Sequence, residues 1–100
     1  MVKHIILWKL NDELSQNEKE YVKKNAKIEF ESLVGKVPGL IAMNIQTEGL
    51  SSSKADMMLY SELESEEALS IYKDHPEHVR VADNFVRPYT VLRLCLDFKA

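Results

Sequence analysis

The segment IYKDHPEHVRVADNF, residues 71–85, gathers two of the chain's three histidines around a proline, with Tyr72 just upstream. An imidazole beside a phenol is a proton acceptor beside a hydrogen-bond donor. That pair can take a proton from a carbon next to a carbonyl and hold the oxygen on which charge develops. His78 shares one helical face with Val81, Ala82 and Phe85, so it is expected to be buried or to face a cavity. Desolvation disfavours the imidazolium and would keep this histidine neutral near pH 7. Tyr72 continues the stripe of Ala68 and Leu69 in the preceding helix. A core histidine tied to a backbone carbonyl fits the same spacing. His75 reads differently: it, or Asp74, can cap the helix that Pro76 begins, since proline suits a first helical position.

The elements that must position these residues follow from local patterns. VKHIILWKL (2–10) is β-branched and aromatic-rich and reads as a strand. SQNE (15–18) fits a capping box, and Val22, Ala26, Phe30 and Leu33 then make one apolar helical face. The helix is predicted to end near Gly35, with Pro38-Gly39 as the turn. LIAMNIQTE (40–48) and DMMLYSELE (56–64) read as strands, separated by the small-residue loop GLSSSKA. Ser65 caps a second helix with Glu66 and Glu67 in its first turn. That helix breaks near Pro76, a short third runs to about Val86, and TVLRLCLDF (90–98) is the last strand. The order β-α-β-β-α-β predicts an α+β, ferredoxin-like fold with a four-stranded antiparallel sheet, in one domain spanning residues 1–100.

Alternation assigns faces. Val2, His4, Ile6, Trp8 and Leu10 oppose Ile5 and Leu7 on the first strand; Met57, Leu59 and Leu63 oppose Met58 and Tyr60 on the third. Ile41, Met43 and Ile45 share a face of the second strand. On the fourth, Leu92, Leu94, Leu96 and Phe98 are expected beneath the helices, and Val91, Arg93, Cys95 and Asp97 on the other side. Neither sheet face is cleanly polar, which an antiparallel sheet open to water on one side should be. A second copy of the sheet is the simplest second layer, with Ile6 and Trp8 expected in the contact and each worth roughly 1.5–3 kcal/mol when buried.

Composition narrows the function. The 45% hydrophobic content is ordinary for a globular chain. The 13 basic residues are scattered and the formal charge is −3, so the concentrated basic footprint that nucleic acid needs is missing. No apolar run approaches the roughly 18–20 residues of a membrane span. MVKHIILWKL lacks a small-residue cleavage site and reads as strand, so a cytoplasmic location is expected. Cys95 is the single cysteine, expected as a small buried hydrophobe. No Asp or Glu completes a recognisable metal spacing with the histidines, so no metal is expected. The Met57-Met58 pair reads as adaptable core and KKNAK (23–27) as a solvated helix face. Arg93 either snorkels or pairs with Asp97 two residues on, or it receives an anionic group of a ligand.

Three blocks in this order, VKHIILWKLNDE, LYSELESEEAL and Y..HPEH, resemble the stress-responsive α/β-barrel (Dabb) family over about residues 2–98. The resemblance implies a homodimer in which two four-stranded sheets form one α+β barrel. It further implies similarity to plant polyketide cyclases of that family, which close a ring by an intramolecular aldol-type step using a histidine, a tyrosine and no cofactor. The matching positions are His78 as base, Tyr72 as donor and His4 as the strand histidine of the pocket. The implied site for an unidentified small molecule is lined by His4, Ile6, Trp8, Leu59 and Arg93. Two features depart from the cyclase pattern: YVKKNAK stands where an aromatic-rich helix would gate the pocket, and Arg93 and Cys95 stand where aliphatics are expected. A non-catalytic dimeric stress or carrier protein is the other reading of the same features.

Overall fold

The computed structural model describes residues 1–100. Its elements are β1 (Val2–Leu10), α1 (Gln16–Glu31), β2 (Leu40–Gln46), β3 (Met57–Leu63), α2 (Glu66–Asp74), α3 (Pro76–Phe85) and β4 (Thr90–Lys99), with a single 3-10 turn at Arg87–Tyr89. The strands form one sheet in the order β2-β3-β1-β4, every neighbour antiparallel, which is the expected ferredoxin-like arrangement.

Local chemistry explains the boundaries. The Ser15 side chain accepts from the Glu18 amide at 3.1 Å while Glu18 accepts from the Ser15 amide at 2.9 Å, so the capping box forms in full. Helix α1 stops at Glu31, and Leu33 stays fully buried in the turn that follows. Gly39 sits at φ +81°, and a Cβ there would lie 2.6 Å from the Ala68 Cβ, so only glycine lets this turn pack on α2. Ser65 accepts from the Ala68 amide at 3.1 Å and starts α2.

The core lies between the helices and one sheet face. Ile6, Trp8, Leu10, Phe30, Ile45, Leu59, Leu63 and Tyr72 are all buried within it. This reverses one expectation. Strand pairing sets Trp8 against Arg93, Ile6 against Cys95 and His4 against Asp97, so Arg93, Cys95 and Asp97 lie on the helix side of β4. Leu92, Leu94, Leu96 and Phe98 lie on the open face beside Leu7, and are 39–63% exposed. Alternation separates the two sets but does not say which one meets the helices. Ile6 and Trp8, expected against a second sheet, are instead 3% and 4% exposed beneath the helices.

Two smaller differences have local causes. The β2–β3 register shifts between Leu40 and Ala42, which turns Ile41 outward while Met43 and Ile45 stay buried. Cys95 is exposed and not a core residue, because no helix covers the edge strand β4.

Candidate functional site

The joint between α2 and α3 aims Tyr72 and His78 at one another. His75 donates its amide to the Tyr72 carbonyl at 3.2 Å, ending α2, and its Nδ1 accepts from the Glu77 amide at 3.1 Å, starting α3. Pro76 follows at the first helical position, so His75 has the capping role expected of it. With extended backbone only at His75, the last turn of α2 and the first turn of α3 present Tyr72 and His78 to the same space. Their ring centroids are 4.3 Å apart. His4 of β1 lies edge-on to Tyr72 at 5.9 Å, and Phe30 of α1 lies 6.2 Å from His78.

Both histidines have one nitrogen committed. Nδ1 of His78 is 3.0 Å from the Lys73 carbonyl, which can only accept, so Nδ1 carries the proton and Nε2 is left as an acceptor. Nδ1 of His4 donates to the Asp97 carboxylate and leaves its Nε2 likewise uncommitted. Burial lowers the pKa of His78 below its usual value, against the pull of the Lys73 carbonyl. Burial also lowers that of His4, and outweighs the Asp97 hydrogen bond and charge that favour the imidazolium. Burial raises Asp97, but the His4 hydrogen bond and charge, with Cys95 and Lys73, outweigh it and hold the carboxyl below its usual range. Near pH 7 the arrangement is therefore neutral imidazole, neutral imidazole and carboxylate.

Tyr72 packs near both with no solvent exposure, and its hydroxyl has no hydrogen-bond partner. Burial pushes that phenol far above its usual pKa, with Arg93 opposing, so it serves as a donor and not as a phenolate. Leaving such a group unpaired costs about 1–3 kcal/mol. Folded proteins seldom leave one, so the hydroxyl marks a place where a ligand oxygen or a water belongs.

A polar rim surrounds these rings. Lys73 Nζ lies 3.4 Å from Asp97 Oδ2. Cys95 Sγ lies 3.4 Å from Asp97 Oδ1 and 3.7 Å from His4 Nδ1. Asp97 is thus taken by His4 and Lys73, and Arg93 makes no ion pair with it or with any other residue. The Arg93 charge still disfavours protonation of both His4 and His78. A concavity of about 410 Å³ between α2 and β4 has Lys73, Asp97, Leu69 and Val2 in its wall and borders the rim. A second, of about 430 Å³, lies on the open sheet face against Leu7, Met58, Leu92 and Leu94.

Of the residues expected from sequence, the fold brings His4, Tyr72 and His78 together. Ile6, Trp8 and Leu59 lie in the packed core beneath them, Trp8 with its ring 5.6 Å from Phe30. Sequence reasoning missed Asp97, Lys73 and Cys95 as site residues. The signal that could have found Asp97 and Cys95 is the β1–β4 register, which places Asp97 directly opposite His4.

The sequence pattern of the stress responsive A/B barrel domain (Dabb) matches residues 2–100, and the chain belongs to that family. A dimeric protein of unknown function from Bacteroides fragilis, described as having a ferredoxin-like fold, is 28% identical, with a TM-score of 0.93 over 99% of this chain and 95% of that one. A protein from Arabidopsis thaliana is 25% identical, with a TM-score of 0.76 over 100% and 95% of the two chains. A dimeric ferredoxin-like protein of unknown function from Thermobifida fusca shares the fold at 23% identity, with a TM-score of 0.79 over 99% and 90%. No curated protein matches the chain.

Proposed function

We propose that this stress responsive A/B barrel domain protein is a homodimer whose protomers each hold a small carbonyl compound against His78, Tyr72 and His4, and that His78 and Tyr72 act on it without a cofactor. The orphan Tyr72 hydroxyl carries this reading. It is a fully buried donor with no acceptor in the protein, set against an imidazole with a free Nε2.

The chemistry follows from the groups. His78 Nε2 takes a proton from the carbon next to a carbonyl, and the electron pair of the broken C–H bond moves into the carbonyl to form an enolate. Tyr72 donates its hydroxyl hydrogen bond to that oxygen, where the negative charge develops. The enolate carbon attacks a second carbonyl of the same molecule, and the alkoxide formed recovers the proton from the His78 imidazolium. Only a proton is moved and returned, so the balance calls for no redox partner. A polyketide-like compound, with several carbonyls on one chain, is the substrate class that suits this step. His4, held by Asp97, and the unpaired Arg93 are proposed to orient the ligand, with Ile6, Trp8 and Leu59 as the apolar floor.

The open sheet face supports the homodimer. Leu92, Leu94, Leu96 and Phe98 form a continuous exposed apolar strip on β4, next to Leu7 of β1. The Bacteroides and Thermobifida relatives are both described as dimeric. The proposed setting is the cytoplasm, where a single exposed thiol such as Cys95 stays reduced.

The test is turnover of polyketide-like poly-carbonyl compounds by the wild type and by His78→Ala. Cyclised product that disappears in the variant supports the enzyme. Binding without turnover in both would return the protein to a carrier role.

A further inference from the structure

His4, Cys95 and Asp97 bring an imidazole nitrogen, a thiol sulfur and a carboxylate oxygen within 4.8 Å of one another. We propose that His4 Nδ1, Cys95 Sγ and Asp97 Oδ1 form a three-ligand site for zinc or a divalent ion of the same class, with a fourth position open to solvent at the β4 edge. The site shares His4 and Asp97 with the ligand site proposed above, but cobalt binding is read without turnover, so the two stand or fall separately.

Geometry is the first argument. Zinc takes sulfur at about 2.3 Å and nitrogen or oxygen at about 2.0–2.2 Å in a tetrahedron, so its donors stand about 3.3–3.6 Å apart. Cys95 Sγ is 3.4 Å from Asp97 Oδ1, within that range, and 3.7 Å from His4 Nδ1, just beyond it. The third edge, His4 to Asp97, is closed by a hydrogen bond. It opens when a metal replaces the shared proton. Asp97 can move, since its side chain is 28% exposed on an uncovered edge strand, whereas His4 is fixed at 1% exposure.

The backbone holds the donors in place. Cys95 and Asp97 alternate on one face of β4, and the antiparallel register sets them beside His4 on β1. Ser61 Oγ donates to the His4 carbonyl at 3.0 Å and pins that strand from the other side. Lys73 lies on the second oxygen of Asp97, where an outer partner orients a ligating carboxylate. A thiolate, a carboxylate and a divalent cation sum to zero charge, so the loaded site adds no repulsion toward Lys73 or Arg93. Thiolate and imidazole donors favour zinc over magnesium or calcium.

Cobalt(II) is the probe, because its tetrahedral thiolate complexes absorb visibly and in the near ultraviolet. Titration of the metal-free protein should give intense d–d bands with a sulfur-to-cobalt charge-transfer band, both abolished by zinc. Cys95→Ser should lose the charge-transfer band, Asp97→Asn should weaken binding tenfold or more, and Lys73→Met should weaken it about tenfold. His78→Ala, outside the ligand set, should leave the spectrum unchanged. Circular dichroism of each variant separates loss of binding from loss of fold. Absence of the charge-transfer band at excess cobalt, or its survival in a folded Cys95→Ser, overturns the proposal.

Discussion

Tyr72 and His78 pack with their rings tilted, centroids 4.3 Å apart, across a helix joint one residue wide, and the tyrosine hydroxyl has no partner while the imidazole is tied to the Lys73 carbonyl. The pairing gives a prediction that opposes stability to function. Tyr72→Phe removes a buried, unsatisfied hydroxyl and little else, so the ligand-free protein should gain about 1 kcal/mol in chemical denaturation. The same change should abolish ligand binding or turnover, which needs the donor. A loss of stability above about 1 kcal/mol would mean that the hydroxyl is satisfied in the folded protein and is not waiting for a ligand.

The histidines make stability depend on pH with a fixed sign. His4 and His78 both have folded pKa values below the usual one, chiefly through burial. The unfolded chain takes up a proton at each as the pH drops through about 6.5. Stability should therefore be full above that pH and fall as the pH drops toward the folded values, levelling off below them. Denaturation midpoints across pH 5–8, with NMR titration of the imidazoles, are the measurement. Titration of His78 near 6.5, or greater stability at the acid end, would remove the support for a neutral base.

The corrected sheet faces change which substitutions should split a dimer. Leu94→Glu puts a charge in the middle of the exposed strip on β4, where the free protomer tolerates it. A folded monomer, with half the wild-type mass in light scattering, is the expected result. Ile6→Asp places a charge under the helices at a site only 3% exposed, where it has no partner, and should unfold the chain outright. A Leu94→Glu protein that still runs as a dimer would move the interface elsewhere.

The opposite exposures of Ile6 and Leu94 show what was readable from sequence. The strands, both serine caps and the His75-Pro76 joint were legible because each depends on neighbours within four residues. Tyr72 and His78 were legible as a pair for the same reason, since one short joint separates them. The face of β4 was not, because alternation is symmetric: an apolar stripe made for a partner sheet looks the same as one made for a helix. The His4–Asp97 pairing depends on a register between residues 93 positions apart, which no local pattern encodes.

Arg93 gives the last prediction. It was expected either to pair with Asp97 or to meet an anionic ligand, and Asp97 is occupied by His4 and Lys73. The guanidinium makes no ion pair, lies on the helix side of β4 opposite Trp8, and acts electrostatically on Tyr72, His4 and His78. A planar fork of donors with no acceptor in the protein suits a carboxylate, which it can bind through two parallel hydrogen bonds. The ligand should then carry an acid at the end nearest β4 and its reacting carbonyl at Tyr72. Small aromatic and polyketide-like acids should raise the melting temperature more than their neutral amides or esters do. Arg93→Leu should erase that preference and lower acid affinity about tenfold or more, the cost of one charge-assisted bond of about 1.5–3 kcal/mol. Because Arg93 lies at the exposed edge, its loss should change unfolding of the ligand-free protein by no more than about 0.5 kcal/mol. Equal affinity for acids and neutral analogues in the wild type would return Arg93 to an exposed residue with no part in the site.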